Sequence, residues 1–188
     1  MSKVLLGSAL AAVVMFMFGF VFWGISGLPN NVMSGARDVE EARTYLKTNH
    51  PEDGFYKVPY SENWAADEAF AAQAKEGPLA TIIIRHEGKD PGDMMGMAMG
   101  WVYQFVCIFL VALLLHMAMG NRAMTFYVRR VGFVTIAGLA ISIYGNFGDV
   151  VWWSYPTAYP TLTAIYDALA WILAGLVLAA LVKPKPHH

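Results

Sequence analysis

The sequence predicts a mostly α-helical membrane protein, in which four transmembrane helices carry a small α/β domain between the first helix and the second. The 188-residue chain is 57% hydrophobic and has a mean hydropathy of +0.44, which exceeds what is usual for a soluble domain. Four apolar segments approach or exceed the roughly 20 residues that a membrane-spanning helix needs. Most polar residues lie in one long segment between the first two apolar ones.

The four apolar segments are predicted to be transmembrane helices because hydrocarbon accepts only backbones that satisfy their own polar groups. They occupy residues 1–28, 94–119, 131–148 and 161–182. The second contains no charged residue, and the fourth contains only Asp167. The first begins with Lys3 and ends in the bulky stretch FMFGFVFWG, which indicates an uncleaved anchor rather than a signal peptide.

The charges predict which side of the membrane each connecting segment faces. Residues 29–93 include seven basic and twelve acidic residues, a local charge of −5. Segments 120–130 and 183–188 contain basic residues and no acid. Short loops rich in Lys and Arg stay in the cytoplasm. We therefore expect both termini to be cytoplasmic, and expect residues 29–93 and the aromatic loop 149–160 to lie outside a bacterial inner membrane.

Residues 29–93 are predicted to form a domain of the order helix, strand, helix, strand. DVEEARTYLKTN has acids in its first turn and a lysine in its last, which is typical of a helix, and GFYKVPY and ATIIIRH are typical of strands. Between the strands, a helix is predicted from an N-cap at Ser61 to a stop at Gly77. A crossover of this length favours parallel strands. Since two parallel strands cannot bury both faces alone, we expect the domain to rest on the membrane helices or on a partner protein.

Turn and fold residues give this region a recognisable pattern. GFYKVP is followed by a helix, then by GPLATIIIRHEG and a membrane segment, and the defining residues are Gly54, Tyr56, Pro59, Gly77 and Pro78. The pattern covers most of the chain and resembles that of uncharacterised bacterial four-span inner-membrane proteins with one extracytoplasmic loop domain. The resemblance implies a topology and no activity.

Four methionines open the second predicted span. Met95 and Met99 share one helix face, and Met94 and Met97 lie on roughly the opposite one. The spacing of Met95 and Met99 resembles the methionine motif of eukaryotic copper-uptake channels, and thioether sulfur suits Cu(I). The methionine-rich N-terminal segment and three-span architecture of that family are missing.

Two glycines offer a simpler interpretation of the same segment. Gly96 and Gly100 form a G-x-x-x-G step, which lets another helix approach closely while flexible methionines fill the gaps beside it. The sequence favours this helix-packing role, and a Cu(I) site is the alternative. No other cofactor is predicted.

One carboxyl group is predicted to lie within the membrane. Asp167 lies about two turns inside the fourth span, where a charged side chain costs roughly 2.5 to 3.5 kcal/mol at the helix centre. If they face the bundle interior, residues at similar depth form a polar pocket with it: Gln104, Ser142, Tyr144, Asn146 and Tyr166. Because no basic residue is available at that depth, Asp167 would then be protonated or held by neutral donors such as a tyrosine hydroxyl. Two roles stay open for Asp167: fixing helix register, or binding a proton or polar ligand.

The remaining motifs favour a protein without enzymatic activity. There is no phosphate-binding glycine loop, H-E-x-x-H, paired-cysteine motif or nucleophile elbow, and the lone Cys107 excludes an intrachain disulfide. The basic loop 120–130 suits anionic lipid headgroups rather than nucleic acid. We therefore expect an accessory, scaffold or complex subunit, whose partners are the lipid bilayer and another protein or a second copy. The alternative is small-solute handling at the methionines or at Asp167.

Overall fold

A computed structural model describes residues 1–184; the last four residues of the predicted cytoplasmic tail lie outside the described part. The chain divides into two compact units, one of residues 35–92 and one of the residues on either side of them. In chain order the elements are α1 (Ser2–Gly19, continued as a π-helix over Phe20–Ile25), a 3-10 turn (Leu28–Asn31), α2 (Val39–Asn49), β1 (Gly54–Val58), α3 (Glu68–Glu76), β2 (Ala80–Ile84), α4 (Met94–Ala118), a second 3-10 turn (Arg122–Thr125), α5 (Tyr127–Trp153) and α6 (Ala158–Leu181).

Four helices, α1, α4, α5 and α6, are long and apolar enough to cross a membrane, as predicted. Helix α5 is longer than the predicted segment 131–148. It begins four residues earlier, at Tyr127, and ends five residues later, at Trp153. The flanking YVRR and DVVWW contain no glycine or proline to stop a helix. The helix ends only where Ser154 adopts a left-handed conformation, with φ of 56°, two residues before Pro156.

Small residues control how these helices pack. Helix α1 lies between α4 and α6, and α5 packs along α6. The core between them contains five fully buried alanines, which allow close approach of the helices: Ala11, Ala12, Ala112, Ala170 and Ala174. Helices α5 and α6 approach closely at Gly138, where an added Cβ atom would lie 2.0 Å from the Trp171 ring.

The two ends of the bundle differ in chemistry. At one end, which we call the aromatic end, residues 154–157 join α5 to α6, and the rings of Trp23 and Tyr159 lie 6.1 Å apart. At the other end, the basic end, the buried Arg130 side chain ties α5 to its neighbours. Its guanidinium donates to the carbonyl oxygen of Ala179 at 3.0 and 3.2 Å and to those of Met124 and Thr125 at 2.7 and 2.8 Å.

In the unit of residues 35–92, both helices form as predicted, but one starts later than expected. Asp38 caps α2 by accepting from the Glu41 amide. The N-cap of α3 is Asp67 and not Ser61, so the predicted start was wrong. Ser61 instead donates its hydroxyl to Asp67 at 2.8 Å. The Phe70 amide and then this hydroxyl hold the pKa of Asp67 below its ordinary value of 3.8.

The two strands pair in an antiparallel sheet, so the predicted parallel arrangement was wrong. Gly54 pairs with Ile84, and Val58 pairs with Ala80. The chain leaves β1 and enters β2 at the same end of the sheet, and the nine-residue α3 lies within that connection. The length of a connection permits either direction, and an antiparallel pair is slightly more stable per residue.

This unit has little apolar core of its own. Within residues 35–92 no hydrophobic side chain is fully buried. On one face of the sheet, the cross-strand partners Phe55 and Ile83 are 57% and 76% exposed. A pair of large apolar side chains is therefore left open to whatever surrounds the unit.

Candidate functional site within the helix bundle

Three polar side chains of α5 and α6 form a hydrogen-bonded chain inside the bundle. The Asn146 amide nitrogen donates to Asp167 Oδ2 at 2.9 Å, and it also lies 3.1 Å from the Ser142 hydroxyl and 2.9 Å from the Ser142 carbonyl oxygen. Ser142 is buried, with 4% of its surface exposed. The four-residue spacing places Ser142 and Asn146 on one face of α5, so both can meet α6.

Helix α4 adds a further polar side chain beside this chain of hydrogen bonds. Gln104 contacts the hydroxyl of Tyr166, which is the sequence neighbour of Asp167. The Tyr166 ring stacks on Phe18 of α1 at 5.5 Å. Its hydroxyl packs against Gly19, where an added Cβ atom would lie 2.8 Å from the hydroxyl oxygen. We call Gln104, Ser142, Asn146, Tyr166 and Asp167 the polar cluster.

Two buried atoms on α4 have no hydrogen-bond partner among the described residues. They are Gln104 Oε1, which is an acceptor, and the Trp101 indole Nε1, which is a donor. Trp101 lies three residues before Gln104, close to the same face of the helix. Buried polar atoms in proteins are nearly always paired. On the α4 side of the bundle, near the aromatic end, the buried polar groups are therefore not all hydrogen-bonded.

The Asp167 carboxyl group is held by a neutral donor, as the sequence predicted, although that donor is an amide and not a tyrosine hydroxyl. Asp167 forms no ion pair with any residue in the range 1–184. The buried cation Arg130 lies at the basic end and donates to backbone carbonyls. The carboxyl group thus lacks a cationic partner.

Tyr144 does not join the polar cluster. Its side chain is 87% exposed and lines an open groove on the surface of α5 together with Phe147 and Trp152. Position 144 is two residues from both Ser142 and Asn146, which corresponds to about 200° around a helix. Tyr144 was predicted to line the polar pocket because of its depth in the span, and that prediction did not consider its angular position around the helix.

The four methionines at the start of α4 all point away from the rest of the described chain. Met95 is 71% exposed and Met99 is 60% exposed, and Met94 and Met97 are exposed as well. A Cβ atom added at Gly100 would meet nothing within 4 Å, so Gly100 makes no close helix contact within this chain. A Cu(I) site stays a prediction. Residues 1–184 also contain no group of three or more His, Cys, Asp or Glu side chains able to hold a metal ion.

Sequence reasoning missed several residues that define the interior. The Trp101 indole was absent from the predicted pocket, although its spacing from Gln104 was a usable signal. The sequence contains no clear signal for the contact of Gly138 with Trp171 or for the role of Arg130, because both depend on which helices become neighbours. Those neighbours are set by packing and not by the order of segments.

Known proteins give no further guide to this site. No protein-family model matches the chain, and no similar curated protein or solved structure was found. The resemblance to four-span inner-membrane proteins therefore stays a prediction, and the function must be argued from the chain itself.

Proposed function

We propose that this chain is a non-enzymatic, multi-pass protein of a bacterial inner membrane, which presents the unit of residues 35–92 on the extracytoplasmic side as an accessory or scaffold subunit. The four apolar helices support a membrane location. The basic residues at Lys3, in 120–130 and at Lys183 support a cytoplasmic position for both termini, since the acid-rich segment is then outside.

The exposed sheet face is the observation that carries this proposal. Phe55 and Ile83 lie opposite each other and are open, in a 58-residue unit that contains no fully buried apolar side chain. Burying a large apolar side chain contributes about 1.5 to 3 kcal/mol. A unit of this size gains little from its own core. A partner that covers Phe55 and Ile83 would therefore stabilise the unit as well as bind it.

A second open surface supports association within the membrane. Met95 and Met99 lie on a face of α4 that the described chain leaves uncovered, and a Cβ atom added at Gly100 would meet nothing within 4 Å. Glycine permits close approach of another helix, and methionine adapts its shape to different neighbours. This face suits a helix of a partner protein or of a second copy.

Site-specific photo-crosslinking tests the proposal. A photoreactive amino acid at Ile83, in full-length protein in native membranes, is expected to form a discrete adduct with one partner chain. Tyr45 on α2 is the matched control, because it is 59% exposed but lies on a helix instead of the sheet face. The proposal fails if Ile83 gives no adduct, or if Tyr45 gives the same products with equal yield.

The polar cluster supports a second candidate function, which is the binding of a proton or small polar ligand at Asp167. The supporting observation is a carboxyl group with a neutral amide donor and no cationic partner in residues 1–184. This function does not exclude a role as a subunit.

A further inference from the structure

We propose that Asp167 is a reversible proton-binding site within the membrane, and that Asn146 and Ser142 position its carboxyl group. This inference deepens the second candidate function by naming the ligand as H⁺. It rests on the proposed membrane placement of the four helices, but it does not depend on any partner protein.

The members of the polar cluster lie at similar depths from the aromatic end. At 1.5 Å per residue, Asp167 lies about 14 Å from the start of α6, and Gln104 lies about 15 Å from the start of α4. Asn146 lies about 10 Å from the end of α5. In a bilayer whose hydrocarbon core is about 30 Å thick, these side chains lie well below the surface but remain nearer to the aromatic end.

A charged carboxylate at this depth is unfavourable unless something compensates it. The Asn146 amide stabilises one oxygen, Oδ2, but it is neutral. Proton uptake removes the charge: one carboxyl oxygen forms an O–H bond with a proton delivered by water from the aromatic end. Release breaks the same bond and returns the proton to water.

No other titratable group near Asp167 supplies a compensating positive charge. The groups that interact with it electrostatically are the hydroxyls of Tyr103 on α4 and Tyr166 on α6. Cys107 is next to Tyr103 on α4. On α5 the facing side chains are Ser142 and Asn146, which do not titrate, and α1 has no titratable side chain beyond Lys3.

The unpaired atoms on α4 distinguish this role from a purely structural one. A network that served only to fix helix register is expected to satisfy all of its members. Here a buried acceptor, Gln104 Oε1, has no donor among residues 1–184. The Trp101 indole Nε1, a donor, is likewise unpaired among these residues. The α4 side of the polar cluster is therefore less completely hydrogen-bonded than a network that only fixes helix register is expected to be.

A hydrophobic carbodiimide tests the inference because it reacts with protonated carboxyl groups that are accessible from the lipid phase. Full-length protein in liposomes is treated with dicyclohexylcarbodiimide at a series of pH values, and the modified residue is located by peptide mass spectrometry. We expect modification at Asp167. The label should decrease as the pH is raised, because the reagent reacts with the protonated form only.

Variants separate this result from misfolding or general labelling. Asp167→Asn should lose the label, Asp167→Glu should keep it, and Asp149→Asn, at the end of α5, should leave it unchanged. The inference is overturned if folded wild-type protein is not modified at Asp167 or if the label does not change with pH. Protection by sodium chloride but not by potassium chloride would also overturn it, since that would indicate a metal-cation site. Whether the four helices cross the membrane is measured separately, by labelling the segments that connect them in the same liposomes.

Discussion

At Gly138, a single hydrogen atom in place of a side chain decides how closely α5 can approach α6. The Trp171 ring occupies the space that a Cβ atom would need, at 2.0 Å. Gly132, six residues earlier on the same helix, has nothing within 4 Å of such an atom. Two glycines in one helix therefore have different structural roles, and sequence spacing alone does not tell them apart.

We expect Gly138→Ala to destabilise the bundle by about 1 to 3 kcal/mol, the usual cost of overpacking a tight contact. Gly132→Ala is the control and should be neutral or slightly stabilising, because alanine favours helix more than glycine does. The unfolding midpoint in detergent is the measurement. Adding Trp171→Leu to Gly138→Ala should restore part of the loss, and equal midpoints for the two single variants would refute the role assigned to this contact.

Asp67 makes the start of α3 sensitive to acid. Because its pKa is lowered in the folded unit, chiefly by the Phe70 amide, its stabilising effect is complete above the ordinary value of 3.8 and is lost as the pH falls through the folded value. The protection factor of the Phe70 amide, which compares its exchange rate with the intrinsic rate at the same pH, is expected to fall on acidification below about pH 4. Asp67→Asn keeps a capping side chain and should remove this dependence. A wild-type protein whose exchange protection does not change in this range would contradict the assignment.

At the scale of elements, Arg130 joins three pieces of chain at the basic end: the last turn of α6, the 3-10 turn and α5 itself. Its partners are carbonyl oxygens that belong to Met124, Thr125 and Ala179. The flat guanidinium presents several donors at once, which a lysine ammonium cannot reproduce in the same geometry.

We expect Arg130→Leu to destabilise this end by about 1 to 3 kcal/mol, because buried carbonyl oxygens lose their donor. Arg130→Lys should recover little of that loss. Arg129→Leu removes the same charge from an exposed neighbour and is the matched control. The rate of proteolysis in segment 120–126 is the measurement, and equal rates for the Arg130→Leu and Arg129→Leu variants would contradict this role of Arg130.

The sequence predicted elements whose causes are local and missed those whose causes are not. Apolar length located the four long helices. The charges at the ends of α2 and the stop at Gly77 located the helices of the unit of residues 35–92, although the predicted cap at Ser61 placed the start of α3 too early. The strand direction was wrong because connection length does not decide it. Tyr144 was misplaced because angular position around α5 matters as much as depth. The close contact at Gly138 depends on a distant residue, Trp171, that no local pattern identifies.

At the scale of the whole molecule, the proposed topology depends on the separation of charge along the chain. Four apolar helices divide an acid-rich segment from several short basic ones. If a bilayer encloses the helices, the polar cluster lies in a medium that penalises charge, and Phe55 and Ile83 face an aqueous compartment where a partner can cover them. The proton-binding proposal therefore requires the four helices to cross the membrane, and the subunit proposal also requires the unit of residues 35–92 to lie outside the cytoplasm.

Cysteine accessibility tests this requirement most directly. Cys107 is the only cysteine, so Cys107→Ser gives a background without thiols, into which Glu76→Cys and Gly120→Cys are introduced one at a time. In intact cells, a membrane-impermeant maleimide is expected to label the Glu76→Cys protein, and to label the Gly120→Cys protein only after the membrane is opened. Labelling of Gly120→Cys but not of Glu76→Cys in intact cells, or of both without opening the membrane, would contradict the account.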